Sequence, residues 1–318
     1  MSAFQLKTVA AKRTIIAKMY AEVLKAARTY FDREGFIEVP TPFFSRGLGS
    51  CENTKTLFSI DYFGTNMYLR QTAQLYLELL MPSIEKVWCV GPSFRAELAD
   101  DRHLPEFTLL EMEFCGDFQE LLTRIEDLVY KMASQVAVNI NKELAELSVD
   151  IARLESLRRP FKRITYEDAI KILDLEWGTD LVSRYEKHLV ELLGNQPLFI
   201  THFPEKMKFF NMRTNARNSL VVNSADLILP FSGEAAGSAE REFEYEKVYE
   251  KLKHSIMFRQ LEEAGGSITN FGFYLNHLRD HGSVLHSGCG IGVERVIQFL
   301  LGTTDIRDST LFLSEEIT

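Results

Sequence analysis

Two closely spaced pairs of strand-like segments constrain the fold of this chain more than any other feature of its sequence. The segments VWCVGPSFRAE (87–97) and EFTLLEMEF (106–114) are joined by a short charged loop, and a second pair, LFSIDYFG and NMYLR, surrounds a turn at Gly64 and Thr65. Strands joined by so few residues pair antiparallel, since parallel strands need a much longer crossover. The sequence therefore predicts an antiparallel sheet rather than a doubly wound parallel one.

Amphipathic helices flank these strands. Apolar residues recur at three- and four-residue steps over residues about 8–34, and Gly35 is typical of a helix C-terminus. A Gly-rich strand or turn leads into another apolar helix within 288–300. Residues about 140–198, rich in Glu, Lys, Leu and Arg, are predicted to form a helical insertion. Since the sequence contains no linker-like segment, we expect a single α+β domain over residues 1–318.

The composition is that of an ordinary globular protein. The chain has 318 residues, of which 46% are hydrophobic and 25% are charged, and its formal net charge is −9. It has no apolar run of the roughly 20 residues that a spanning helix needs and no signal-peptide pattern, so we expect a cytoplasmic protein with no membrane partner. The four cysteines lie far apart, which argues against a zinc or disulfide framework. The acidic balance argues against a broad nucleic-acid surface.

Unusual charged residues cluster in the hairpin formed by the first strand pair. Arg95 and Glu97 are two residues apart in one strand-like segment and are therefore expected to face the same side of the sheet. Arg102 and His103 lie in the connecting loop, and Phe107 follows on the returning strand. Taken alone, this pattern favours a solvated hairpin with cross-strand ion pairs. The alternative is a phosphate clamp, because guanidinium groups match phosphate oxygens and Phe107 is suited to stack on a base.

Two carboxylates mark a second polar segment, DLILPFSGEAAGSAEREFEYEK. Asp226 opens it, Glu234 and Ser238 lie among small residues, and Arg241 follows in a strand-like stretch. Carboxylates in a Gly/Ala-rich turn are natural ligands for the Mg²⁺ that accompanies nucleotide phosphates. An acidic loop without a metal is the alternative interpretation.

The third segment, GCGIGVERVIQFL, superficially matches the dinucleotide pattern GxGxxG. That pattern alone is weak, and here no βαβ unit with a ribose-binding acid follows it. Instead, Glu294 and Arg295 open an otherwise apolar helix. An Arg at the positive end of a helix dipole needs an anion nearby, and a phosphate would serve.

Together these segments resemble the three motifs of class II aminoacyl-tRNA synthetases. GFIEVPTP, with Pro42, resembles motif 1; FRAE followed by RHLPEF resembles motif 2; and GIGVER resembles motif 3. Within the class, RHLPEFTLLEMEF, the segment 203–208, DLILP with the following GE and RE, and LRDHGSVLHSGCGIGVER are most similar to the asparaginyl/aspartyl branch. The resemblance implies the class II catalytic fold, ATP and Mg²⁺ as cofactors, activation of an amino acid as its adenylate, and a homodimer.

The resemblance also implies catalytic and ATP-binding roles. Arg95 would bind the α-phosphate and stabilise the charge that develops on it, and Arg295 would be the second catalytic residue. The other implied contacts to ATP are those of Glu97 and Phe107 with the adenine and those of Arg102, His103 and Arg295 with the β- and γ-phosphates.

Further roles concern the metal and the amino acid. Asp226 and Glu234 would bind Mg²⁺. Gln74 and Glu52 would line the amino acid pocket, with Glu52 on a closing loop. Arg241 would contact the far end of the substrate.

The pocket departs from the aspartyl enzymes at one position. Leu77 stands where those enzymes have a Lys for the substrate side chain, and Glu78 follows it. Glu78 and Arg241 together would suit a carboxamide. They would equally suit an aspartate that enters backwards, with its α-ammonium on Glu78 and its β-carboxylate towards ATP. Backward entry followed by attack of ammonia is how archaeal asparagine synthetases related to asparaginyl-tRNA synthetase work.

The principal functional hypothesis is therefore an ATP-dependent amide-forming ligase that joins an aspartate-like acid to ammonia or an amine. Motif 1 begins near residue 35, which leaves no room for the anticodon-binding barrel of the tRNA enzymes, so tRNA is expected to be an unlikely partner. The first alternative is asparaginyl-tRNA synthetase-type transfer to tRNA or another acceptor. The second alternative is a non-catalytic sensor of asparagine or adenylate.

Overall fold

The structure, a computed structural model, describes residues 3–47 and 54–313. Its strands are β1 Ile37–Glu38, β2 Phe44–Ser45, β3 Ser59–Tyr62, β4 Thr65–Leu69, β5 Lys86–Phe94, β6 Glu106–Phe114, β7 Lys162–Thr165, β8 Leu198–Thr201, β9 Ser224–Leu229, β10 Gly233–Glu240 and β11 Ser287–Gly292. Its α-helices are α1 Ala3–Arg33, α2 Gln74–Glu78, α3 Phe118–Asn139, α4 Asn141–Glu146, α5 Ile151–Glu155, α6 Tyr166–Ile172, α7 Ser183–Leu192, α8 Tyr245–His254, α9 Ile256–Glu263, α10 Gly272–His281 and α11 Val293–Leu301. None of the helices in these ranges is long and apolar enough to cross a bilayer.

An eight-stranded sheet in the order β1-β5-β6-β11-β10-β9-β8-β7 forms the body of the fold. The pairs from β5 to β8 are antiparallel, whereas β1 and β7 join the two edges as parallel strands. The hairpin β3–β4 pairs with β2 in a small separate sheet. The predicted antiparallel α+β fold with flanking helices is therefore confirmed.

The two faces of strand β6 have opposite character. Leu110, Met112 and Phe114 belong to the main hydrophobic core, which also contains the apolar faces of α1, α3 and α11. Side chains alternate along a strand, so Glu111 and Glu113 lie on the other face. Helices α8, α9 and α10 enclose a second core, in which Tyr274, Leu75 and Val248 are completely buried. The face that carries the two glutamates is the floor on which the candidate site is built.

The hairpin β5–β6 corrects one expectation about Arg95 and Glu97. Strand pairing ends at Phe94, so neither residue lies on a strand and their common direction cannot come from strand alternation. Arg95 N donates across the hairpin to Pro105 O at 2.8 Å, and the chain then turns, with Glu97 N donating to Arg95 O at 2.7 Å. These turn contacts hold the two side chains at the mouth of the hairpin.

The region about 140–198 differs in part from a purely helical insertion. It contains α4, α5, α6 and α7, but also β7, which extends the main sheet beside β8. Three of the four residues of β7, KRIT, are charged or hydroxylated, so no apolar pattern marks them as a strand. Their pairing with a distant segment decides their structure.

Candidate active site

A cavity of about 290 Å³ opens over the face of the sheet that carries Glu111 and Glu113. Ten side chains singled out in the sequence line it: Gln74, Arg95, Glu97, Arg102, His103, Phe107, Asp226, Glu234, Arg241 and Arg295. Glu52 lies outside the described residues. Glu78 is placed differently from the prediction, since it lies beneath the cavity and not on its wall. The segments identified separately in the sequence thus converge on one space.

One end of the cavity holds the basic cluster, which we define as Arg95, Arg102 and Arg295. The Cζ atom of Arg95 lies 5.6 Å from the centroid of the Phe107 ring, a cation–π arrangement. Arg95 Nε is buried, yet no side chain or backbone atom of the described residues accepts a hydrogen bond from it. Such an orphaned donor is costly unless a ligand satisfies it, which fits a phosphate oxygen.

Helix α11 supplies the second arginine of this cluster. Arg295 Nη2 donates to Arg102 O at 2.7 Å, and Arg295 Nη1 donates to Ser232 O. Burial lowers the pKa of Arg295, and the like charge of Arg102 lowers it further. The Arg295 guanidinium, at the positive end of a helix dipole and close enough to Arg102 to feel its charge, forms an anion-binding arrangement with it.

Glu294, the residue before Arg295, fixes the start of α11. Its two carboxylate oxygens accept the backbone N–H of Thr108 at 2.9 and 3.0 Å, and Tyr20 Oη donates to it at 2.7 Å. Burial raises the pKa of Glu294. The side chain thus ties α11 to β6 and α1 and holds Arg295 at the cavity.

Asp226 and Glu234 lie next to each other at the basic end. Gly237 pairs with Asp226 across β9 and β10, and a Cβ atom at Gly237 would lie only 3.4 Å from Glu234 Oε1. Asp226 also accepts two hydrogen bonds from Lys208 Nζ, at 2.6 and 2.8 Å. Across residues 3–47 and 54–313, no group of three or more His, Cys, Asp or Glu side chains is arranged to hold a metal. Two carboxylates suit Mg²⁺, which commonly takes its other ligands from phosphates and water.

Two residues at the basic end of the cavity were not predicted from the sequence as site residues. Lys208 lies in the segment 203–208, which was noted only for its likeness to the synthetases. Glu186 reaches the cavity from α7, and its Oε2 accepts from Glu234 N at 3.3 Å. Burial raises the pKa of Glu186 to about 7, with a further contribution from the charge of Asp226. One acidic residue within a helical region rich in Glu gives no signal in the sequence.

At the opposite end, Arg241 lines the cavity and belongs to the paired cluster, which we define as Arg241 and the buried side chains of Glu113, Glu78 and His286 beneath it. Arg241 is 3% exposed and donates to Glu113 Oε1 from Nη2 at 2.8 Å and from Nε at 3.2 Å. Glu78 Oε1 lies 4.0 Å from Arg241 Nε, and Glu78 Oε2 lies 3.3 Å from His286 Nε2. The charges of this cluster are therefore balanced within the protein before any ligand arrives.

Glu78 is the hub of these contacts. Its carboxylate accepts hydrogen bonds from Asn211 Nδ2, from Tyr274 Oη at 2.7 Å and from Gln74 Nε2 at 2.8 Å. Burial alone would raise the pKa of Glu78, but the contact with His286 and the charges of His286 and Arg241 hold it below the usual value. The expectation that Glu78 faces the substrate is corrected, because these donors occupy the carboxylate beneath the cavity floor.

Two other groups of the paired cluster show opposing electrostatic effects. Burial raises the pKa of Glu113, against the opposing effect of Arg241. Burial would lower the pKa of His286, but Glu78 raises it above the ordinary value. A side chain at Gly288 has no room, since its Cβ would lie 2.0 Å from the Glu113 carboxyl group. The glycine of β11 therefore lets Glu113 reach Arg241.

Sequence comparisons with known proteins cover nearly the whole chain. The sequence profile of tRNA synthetases class II (D, K and N) matches residues 3–316. Asparagine–tRNA ligase of Pyrococcus abyssi is 36% identical over 309 residues, which are 95% of this chain and 68% of that protein. The corresponding ligase of Herpetosiphon aurantiacus is 34% identical over 324 residues, covering 95% of this chain and 70% of its own length.

Solved structures give the same result. Asparaginyl-tRNA synthetase from Pyrococcus horikoshii, complexed with asparaginyl-adenylate, superposes with a TM-score of 0.86 at 35% identity, over 95% of this chain and 68% of that one. The Entamoeba histolytica asparaginyl-tRNA synthetase in complex with asparaginyl-adenylate gives a TM-score of 0.82 at 30% identity, over 95% and 67% of the two chains. The chain therefore belongs to the family of tRNA synthetases class II (D, K and N), close to the asparaginyl-tRNA synthetases.

Proposed function

We propose that this protein uses ATP to activate the carboxylate of asparagine as asparaginyl-adenylate and then transfers the asparaginyl group to tRNA. The observation that carries the proposal is the convergence, in one cavity, of an anion-binding basic cluster and of Arg241, whose charge is balanced by the paired cluster beneath the cavity. The relatives named above, which are asparagine–tRNA ligases, support both the amino acid and the acceptor. This acceptor departs from the expectation that tRNA is an unlikely partner.

The basic cluster accounts for the ATP end of the reaction. The orphaned Nε of Arg95 is available to an α-phosphate oxygen, where it would stabilise charge as the carboxylate attacks. Arg102, His103 and Arg295 would hold the β- and γ-phosphates, while Glu97 and Phe107 would contact the adenine. Mg²⁺, held by Asp226 and Glu234, would neutralise charge on the phosphates. The work of the protein is positioning and charge stabilisation, so no side-chain nucleophile is required.

The paired cluster favours a neutral carboxamide over a carboxylate. Arg241 is positive, but Glu113 and Glu78 already neutralise it at 2.8 and 4.0 Å. A substrate carboxylate would add an uncompensated negative charge to a buried site, and such burial is costly. A carboxamide oxygen, by contrast, accepts a hydrogen bond from Arg241 without changing the net charge.

The amide-forming ligase is the weaker candidate. One of its supports was a Glu78 that meets the substrate ammonium, and Glu78 lies below the cavity floor, where protein donors occupy its carboxylate. The sensor hypothesis gains no support from a site in which the predicted phosphate- and magnesium-binding side chains come together. The amide-forming ligase and the sensor both stay predictions, and one experiment distinguishes them from the proposal.

The test is ATP–pyrophosphate exchange with asparagine and with aspartate, followed by mass spectrometry of the products. We expect exchange with asparagine, little with aspartate, and asparaginyl-tRNA when tRNA is added. Exchange with aspartate, and asparagine formed from aspartate and ammonium, would favour the amide-forming ligase. Binding of asparagine without any exchange would favour the sensor and contradict the proposal.

The homodimer predicted from the likeness to motif 1 is part of the same proposal. Light scattering on the purified protein tests it, and a mass of 36.5 kDa, that of a single chain, would contradict it.

A further inference from the structure

The turn between β9 and β10 carries two groups of the basic end. Ser232 O accepts the hydrogen bond from Arg295 Nη1, and Glu234 follows two residues later. Phe231 and Gly233 both lie in the left-handed region, with φ of 70° and 74°. For the non-glycine residue Phe231 this conformation costs free energy and persists only where neighbouring contacts impose it. The turn therefore needs support from other parts of the protein.

One supporting contact comes from Glu186 of α7. Its Oε2 atom accepts from Glu234 N at 3.3 Å, and a Cβ atom at Gly233 would lie 2.9 Å from the same oxygen. The carboxylate is thus packed directly against the turn. A glutamine at this position would keep an oxygen that accepts from Glu234 N, whereas an alanine would not.

A second contact comes from Arg153 of α5. Its Cζ atom lies 5.1 Å from the ring centroid of Phe231 and 4.9 Å from that of Phe299. Its Nη2 atom donates to Phe299 O at 2.7 Å and to Leu300 O at 3.1 Å, at the C-terminal end of α11. The guanidinium group of Arg153 therefore links α11 to the β9–β10 turn. Arg295 of α11 contacts the same turn through Ser232 O.

We infer that Arg153 and Glu186 are positioning residues for ATP: from the region about 140–198 they hold the β9–β10 turn, and through it Arg295 and Glu234. The inference rests on the proposed function, because it assumes that the basic end binds the triphosphate. Loss of either contact lets Ser232 O and Glu234 shift relative to the phosphates. The paired cluster does not touch this turn in the contacts described above, so amino acid binding is unaffected.

The experiment measures KM for ATP and for asparagine by pyrophosphate exchange in E186A, R153A and the double variant. Small displacements of binding groups can cost up to about 100-fold, so we expect each single change to raise KM for ATP about tenfold and to leave KM for asparagine unchanged. E186Q should retain nearly the original KM for ATP. E191A is the matched control, since Glu191 lies on the same helix and its side chain is 73% exposed.

The double variant tests whether the two side chains act on the same turn. Residues that share one structural unit give non-additive effects, whereas independent residues give additive free energies. The rise in KM for ATP in R153A/E186A should therefore be smaller than the product of the two single effects. Protection against thermal unfolding by pyrophosphate should weaken in parallel, which gives a readout independent of turnover.

Variants that unfold more easily but keep KM for ATP and the protection by pyrophosphate would overturn the inference, since Arg153 and Glu186 would then be structural only. A rise in KM for asparagine as large as that for ATP would overturn it too. If the alanine variants do not fold, E186D replaces E186A, because its shorter side chain loses the contact with Glu234 N and should raise KM for ATP where E186Q does not. An unmodified protein that binds no ATP would overturn the proposed function and this inference together, whereas normal ATP binding in every variant would overturn the inference alone.

Discussion

The basic cluster lines the cavity and the paired cluster reaches it through Arg241, and the two clusters satisfy their charges in different ways. In the paired cluster, Arg241 lies against two carboxylates, and Glu78 accepts from three side-chain donors. In the basic cluster, Arg295 lies near the like charge of Arg102, and Arg95 Nε is buried without an acceptor among the described residues. The charges of the paired cluster are satisfied within the protein, whereas the basic cluster needs a ligand to satisfy its charges.

This difference separates stability from function. Removing a partner from a buried charge pair costs about 3–5 kcal/mol, because the remaining charge is left uncompensated. Removing a group whose partner is the ligand costs little in the ligand-free protein. Substitutions in the paired cluster should therefore lower both stability and activity, whereas substitution of Arg95 in the basic cluster should lower activity alone.

The largest effect is expected for R95A. Loss of one preorganised donor to developing charge slows such reactions by about 100- to 1000-fold, so pyrophosphate exchange should fall by about that factor. The midpoint of thermal unfolding should stay nearly unchanged, because no protein acceptor loses a hydrogen bond from Arg95 Nε. R46A, at an exposed arginine outside the cavity, is the control. Exchange that survives in R95A would contradict the site.

R241Q should disrupt the paired cluster, because it removes the cation of that cluster. A buried hydrogen bond to a charged group is worth about 1.5–3 kcal/mol, so kcat/KM for asparagine should fall by about 10- to 150-fold while KM for ATP changes little. The free energy of unfolding should fall as well, since Glu113 and Glu78 lose their cation. Equal losses in R95A and R241Q of both stability and activity would remove the distinction between the two ends.

Much of the fold follows from local pattern. The hairpins β3–β4 and β5–β6, the long helix α1 and the glycine-rich entry to α11 lie where alternation, helical periodicity and turn residues indicate them. Strand β7 does not, because KRIT lacks an apolar alternation and is defined by pairing with β8. Apolar periodicity alone would run one helix over about 244–264, but this segment divides into α8 and α9 at Ser255, whose Oγ accepts from Phe258 N at 3.0 Å and starts α9. Such a capping site is visible in a sequence only when an interruption is expected.

The candidate site was predictable where charged residues interrupt strand-like segments. Arg95, Asp226 and Arg241 stand out for that reason and line the cavity. The direction of Glu78 was not predictable, since it depends on donors from Asn211 and other distant segments. Helix periodicity places a residue on a face but does not say which neighbour covers that face.

G288A tests how rigidly Glu113 is held in the paired cluster. Its Cβ would lie 2.0 Å from the Glu113 carboxyl group, whereas a Cβ at Gly290, on the same face of β11, would lie 3.4 Å from Leu109. Overpacking of this kind costs typically about 1–3 kcal/mol, so denaturant unfolding should show G288A less stable than G290A by at least about 1 kcal/mol. Equal stabilities would show that Glu113 moves freely and that the paired cluster is not rigid.

Y20F gives the smallest expected effect and tests whether structural pairing extends to the basic end. Tyr20 Oη donates to Glu294 at 2.7 Å, while the Thr108 amide donates to both oxygens of the same carboxylate. Loss of the hydroxyl should cost about 1–2 kcal/mol in the free energy of unfolding, measured by denaturant titration. KM for ATP should stay within about twofold, since Thr108 still fixes Glu294 and so the start of α11.

The matched control is Y62F, at a half-exposed tyrosine of β3, which should change stability by no more than about 0.5 kcal/mol. A large rise in KM for ATP in Y20F would mean that Glu294 needs both partners to hold Arg295, and that the basic end depends on buried pairing as much as the paired end does.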